Sequence, residues 1–109
     1  MSKHYFGHPG GTVNVVDGAR GRAYALPPRL DLRDHLPTGF AWGYGGSGPA
    51  QLALALLADA LDDQRALKLY QDFKWAVIAP LTGGAAWELT FEQVCELAAA
   101  VEQETNNVA

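Results

Sequence analysis

The sequence predicts an α+β fold, a small antiparallel N-terminal sheet packed on three helices, on three observations. In the first third, "TVNVV" and "RAYAL" alternate apolar with other residues on either side of the turn "DGARG", the signature of a β-hairpin. Past residue 49, "AQLALALLADAL" is apolar on nearly every side, as a buried central helix must be. Beyond that, two further segments repeat apolar residues at helical spacing.

Taken in order, "HYF" adds an edge strand to the hairpin. The proline-bounded connector "PPRLDLRDHLPTG" follows, with Leu30, Leu32 and Leu36 tacking it onto the core. The first helix starts near Pro49, which suits a first turn because its missing N–H has no acceptor there anyway. Ser47 or Gly48 is its expected N-cap, and it runs to about Leu61. The second helix starts at Asp62 or Asp63, either a good N-cap, and runs to about Ala79 before Pro80 ends it. Leu67, Tyr70, Phe73 and Val77 share one of its faces. Trp75 falls on the other side, among Lys68, Gln71 and Asp72, either packed beneath the N-terminal sheet, the favoured reading, or standing out as a partner anchor. "LTGGAAWEL" reads as a turn and a short strand-like piece. Thr90 and Gln93 then form a capping box, and Phe91, Val94, Leu97, Ala98 and Val101 form the buried stripe of the third helix.

A chain of 109 residues is expected to form one domain with a real core. The 49% apolar and 18% charged fractions place it with ordinary globular proteins. Its apolar runs are far shorter than the ~20 residues of a membrane span. The N-terminus "MSKHYFGH" lacks an apolar signal core, and the single cysteine, Cys95, leaves no internal disulfide. A cytoplasmic monomer is the expectation. Residues 1–50 hold five basic and three acidic side chains, whereas residues 51–109 hold three basic and nine acidic, a net of −6. An acidic half of that kind repels nucleic acid and attracts basic surfaces.

The glycine-rich segment "GYGGSGP" is the first candidate for chemistry. A phosphate-cradling loop of the GxxxxGK[ST] type places a lysine and a hydroxyl after its last glycine, whereas Gly48 here is followed by Pro49 and Ala50. The spacing of Gly43, Gly45 and Gly48 matches a dinucleotide fingerprint, but no βαβ unit surrounds it. The favoured reading is a helix-starting turn over which Trp42 and Tyr44 close. The alternative is a binding module for a small anion or nucleotide at Gly45, Gly46, Ser47 and Gly48. His4, His8 and His35 have no metal-ligand spacing, and neither Ser2 nor Ser47 has a base placed beside it. Glu92 and Glu96, one turn apart, read as a solvated surface. Arg20, Arg22, Arg29 and Arg33 with Tyr24 make only a small basic patch. No enzyme, no metal and no cofactor is expected.

The segments "LPPRLDLRDHLPTG", "GFAWGYGGSGPAQLALALL" and "LYQDFKWAVIAPL" resemble a small domain family of unknown function found in prokaryotes, phages and other mobile elements. The resemblance spans about Leu26 to Leu97. It implies a lineage rather than a reaction. In size and charge the chain is also similar to anti-CRISPR proteins, some of which imitate DNA with rows of carboxylates. That implies a non-enzymatic inhibitor of a host nucleic-acid-binding defence complex, binding the host protein and neither nucleic acid nor membrane. Asp72, Glu88, Glu92, Glu96, Glu102 and Glu104 would supply the charge and Trp75 the apolar anchor.

Overall fold

The computed structural model describes residues 3–35 and 39–107, with side chains through residue 104. The chain forms β1 (Lys3–His8), β2 (Thr12–Asp17), β3 (Arg22–Ala25), α1 (Ser47–Ala60), α2 (Asp63–Phe73), β4 (Trp87–Thr90) and α3 (Phe91–Asn107), with a π-helical turn, Lys74–Ile78, continuing α2. It is an α+β fold. The four strands are antiparallel in the order β3-β2-β1-β4.

The hairpin of β2 and β3 pairs Val15 with Tyr24 and Val16 with Ala23. Because side chains alternate across a strand, Tyr5, Gly7, Val13, Val15 and Asp17 all turn inward and are buried. His4, Phe6, Asn14 and Val16 turn to the open face, where the His4 and Phe6 rings stack 6.0 Å apart. The "HYF" segment is not an edge strand. It belongs to β1, which pairs with β2 on one side and β4 on the other, His4 lying opposite both Val16 and Thr90. Its short apolar run carries no local sign of that second partner, which lies some eighty residues further along the chain.

α1 is the buried centre of the molecule, with Leu52 through Leu57 wholly enclosed. It starts at Ser47, and its N-cap is Gly46 rather than Ser47 or Gly48, with no side chain capping it. The first helical bond runs from the Ala50 N–H to the Gly46 carbonyl, leaving Pro49 in the first turn as expected. α2 is capped by Asp62, whose carboxylate accepts the Arg65 N–H at 2.8 Å. The α3 capping box forms in both directions: the Thr90 N–H donates to Gln93 Oε1 (2.8 Å) and the Gln93 N–H to Thr90 Oγ1 (3.0 Å). None of the described helices is long and apolar enough to cross a membrane.

Three local expectations are corrected. Trp75 does not pack beneath the sheet; it is 60% exposed, because α1 and α3 take the sheet's inner face and the far side of α2 is left to solvent. Tyr44 is 55% exposed and does not close over α1, a role Trp42 fills, buried and donating its Nε1–H to the Ala85 carbonyl at 2.9 Å. Of the three connector leucines, Leu32 packs on the core and Leu30 is exposed, while Leu36 lies outside the described residues. What ties the connector down is Gln51, a polar residue completely buried in α1.

Gly43 joins Trp42 to the turn before α1 with φ +93°, and its N–H donates to the Ile78 carbonyl at 3.1 Å. A Cβ there would meet the Gly83 backbone at 2.6 Å. Gly43→Ala therefore combines an unfavourable dihedral with a backbone clash. It should cost about 1–3 kcal/mol of stability, measured by urea unfolding. An unchanged midpoint would show that the loop rearranges freely.

Candidate functional site

The glycine-rich turn brings two exposed rings onto two successive glycines. The six-membered ring of Trp75 lies against Gly45, where a Cβ would meet the indole, and the Tyr44 ring lies against Gly46 in the same way. Gly48 is buried against Ala41, and Ser47 is exposed. A side chain at either glycine would have to displace the ring that lies against it. The result is an aromatic surface at the N-terminal end of α1, backed by main chain.

Beside it, Phe40 separates shallow hollows. One of about 170 Å³ is lined by Gly10, Gly39, Phe40, Ala41, Tyr44, Ser47 and Gly48. Another of about 400 Å³ runs past Trp42, Gly43, Gly83 and Gly84. Their walls are mainly backbone and aromatic side chains, and among the described residues no titratable side chain lines either except the Tyr44 phenol. Such walls suit shape recognition rather than proton transfer.

Lys74 completes this end. The residue is only 8% exposed, and its ammonium sits 4.6 Å from the centre of the Trp75 ring. In the sequence Lys74 enters only as one of the three basic residues of the acidic half. The apolar residues around it were the available signal.

The acidic residues are divided. Glu88 is held by His4 (Nδ1 to Oε2, 2.9 Å) and Glu102 by Arg65 (2.9 Å). Glu92, Glu96 and Glu104 are exposed on α3, and Asp72 is exposed on α2. Lys3 lies over the Phe91 ring and bonds Asp59, and Arg65 bonds Glu102, so α3 crosses the end of the helical hairpin where α1 stops and α2 begins. Trp75 is at the other end, about 20 Å away along a helix of 14 residues. The structure thus does not bring the α3 carboxylates and Trp75 into one cluster.

A polar cluster that sequence reading missed lies at that far end. Asp59 is largely buried and accepts bonds of 2.7 Å from Lys3 Nζ, the Tyr5 hydroxyl and the Tyr24 hydroxyl. Burial pulls its carboxyl upward, but the bonds from Lys3, Tyr24 and Tyr5 outweigh that and leave it below the ordinary carboxylate range. Burial and the Asp59 carboxylate push the Tyr24 hydroxyl up to about 12 and the Tyr5 hydroxyl higher still. Tyrosines held this firmly protonated are donors that fix β1 and β3 to α1, not acid–base groups. Among the described residues no three His, Cys, Asp or Glu side chains converge as metal ligands.

Residues 5–102 match a family of unknown function, DUF6166, and the chain belongs to that family. Comparison with curated proteins and with solved structures gives no match.

Proposed function

We propose that the protein is a non-catalytic binding protein that docks on a host protein through the Trp75 and Tyr44 rings. The partner is the nucleic-acid-binding surface of a defence effector, the kind of target that anti-CRISPR proteins block. The observation that carries the reading is Trp75, a large apolar ring held outward over backbone at Gly45. Tryptophans in such positions dominate binding energy at protein interfaces. The net charge of −4 and the exposed Glu92, Glu96 and Glu104 support a basic partner surface. Set about 20 Å from the anchor, those carboxylates steer the encounter over distance rather than contact the partner beneath Trp75.

The test is affinity capture from bacterial host lysate with the wild-type chain, Trp75→Ala and the triple variant Glu92→Gln, Glu96→Gln, Glu104→Gln. The wild type should retain a nucleic-acid-binding protein at low salt and release it when excess DNA is added. Trp75→Ala should weaken that complex by about 2 kcal/mol, some thirtyfold. The triple variant should slow association and flatten its salt dependence while changing dissociation little. Recovery of no host protein at low salt, or capture that is indifferent to Trp75→Ala, would overturn the reading.

A further inference from the structure

A cavity of about 350 Å³ lies where the β1–β2 turn meets the connector between β3 and α1. Val13, Leu26 and Gln51, all buried, form its floor, and Pro28, Leu30 and Phe40 stand around them. Among the described residues no charged side chain lines it. Its one buried polar side chain is the Gln51 amide, which already donates to the Pro28 and Arg33 carbonyls and accepts the His35 N–H. That amide has no free donor for a ligand, but it fixes the connector wall in place. Across the cavity, the Gly11 main chain packs against the Phe40 carbonyl. The walls are therefore preformed.

Two further observations mark the mouth. Leu30 lines the cavity yet is 46% exposed, so it stands where the cavity meets solvent. The residue before it, Arg29, has φ +57°, the one positive φ outside glycine among the described residues. Such a dihedral persists only where the surroundings hold it, and strain of this kind gathers at ligand clamps. Here the Arg29 guanidinium is gripped by the carboxylates of Asp31 (3.0 Å) and Asp63 (2.8 Å). The clamp turns the chain so that Leu30 is left at the mouth instead of in the core.

We propose that this cavity binds a small, neutral, apolar molecule of about two fused rings. The size follows from the volume: a dry cavity of about 150 Å³ takes one benzene ring, and this one is roughly twice as large. The chemistry follows from the lining, since a charged ligand would lose its hydration and meet no counter-charge. An apolar ligand instead takes the floor of the cavity and the exposed face of Leu30 out of water, which is favourable. Neither Trp75 nor Tyr44 lines the cavity, so its test is independent of the docking proposal.

The experiment is a ¹³C-methyl NMR titration of the full chain with indole, and in a second arm with indole-3-acetate, which keeps the rings and adds a charge. Saturable shifts are expected at the Val13, Leu26 and Leu30 methyls, with indole binding at least tenfold tighter than the carboxylate. Leu30→Ser, at an exposed position, should weaken indole binding about tenfold, and Leu30→Met should stay within a fewfold of wild type. A methyl spectrum of Leu30→Ser unchanged away from the cavity shows that the variant is folded; should it unfold, Leu30→Ala takes its place. Shifts that rise without saturation in the wild type, or saturate equally in the folded Leu30→Ser chain, overturn the proposal. So does indole-3-acetate binding as tightly as indole, or a set of shifts centred on Trp75 and Tyr44.

Discussion

Asp59→Ala should destabilise the fold by about 3–5 kcal/mol, the largest effect expected of any single polar substitution in the chain. The magnitude is that of removing one partner from a buried charged network. Its carboxylate holds three donors, Lys3, Tyr5 and Tyr24, each at 2.7 Å. Deleting it leaves the wholly buried Tyr5 hydroxyl, at 0% exposure, without its acceptor, and removes the counter-charge of Lys3, whose side chain is 17% exposed. The loss also cuts the tie between the sheet and α1, since Lys3 and Tyr5 stand on β1 and Tyr24 on β3. Asp59→Asn keeps one oxygen to accept a tyrosine and should fall between alanine and wild type. Urea unfolding of the three chains measures the series. A loss below 1 kcal/mol for the alanine variant would mean that water replaces the carboxylate at little cost.

The same cluster sets the pH response. The Asp59 carboxyl is lowered relative to its value in the unfolded chain, so its contribution is full above about pH 4 and is lost as pH falls further. The tyrosine hydroxyls are raised, so theirs is full below about pH 10 and is lost as pH climbs towards 12. Stability should therefore fall on both sides of a broad neutral plateau. Asp59→Asn should flatten the acid limb, since it removes the titrating group on that side, and weaken the alkaline limb only in part, since burial as well as the Asp59 carboxylate raises the tyrosines. An acid limb unchanged in Asp59→Asn would assign it to the Arg29 pairs with Asp31 and Asp63 instead, whose carboxyls that guanidinium also lowers.

What could be read from the sequence was what neighbours along the chain determine. The hairpin of β2 and β3, the Thr90–Gln93 capping box, the Asp62 cap and Pro49 in a first helical turn each rest on residues within a few positions of one another. What could not be read rests on partners far apart. β1 looks like an edge strand until β4 arrives beside it. Asp59 reads as a helix-end carboxylate, because nothing near it announces Lys3, Tyr5 or Tyr24. Trp75 was placed correctly on the polar side of its helix, but whether that side met the sheet or solvent depended on the order of the layers. The burial of Lys74, a charged residue, was equally illegible in its own segment.

Gln51 is the second residue whose replacement should be severe, and it shows how a polar interruption in an apolar helix can organise a loop. Its side chain is completely buried, yet every polar atom on it is engaged. Nε2 donates to the carbonyls of Pro28 (2.6 Å) and Arg33 (3.0 Å), and Oε1 accepts the His35 N–H (3.2 Å). The connector between β3 and α1 thus wraps around one amide, and His35 goes on to meet the Tyr70 hydroxyl at 3.0 Å. Gln51→Leu has nearly the same volume and fills the space, but it strands two acceptors and a donor. It should cost about 2–4 kcal/mol, given roughly 1–3 kcal/mol for each buried group left unpaired and some relief from water at the exposed connector. Gln51→Glu is the sharper probe. An ionised carboxylate can still accept from His35 but faces two carbonyl oxygens with nothing to donate, so it should be at least as damaging as leucine at neutral pH. As pH falls and the carboxyl takes up a proton, it regains one donor and part of the lost stability. Amide exchange at His35 reads the loop directly: protection should vanish in Gln51→Leu and survive in wild type. Equal protection in the two would show that the connector is held by its leucines, as its sequence first suggests, and not by the amide at its centre.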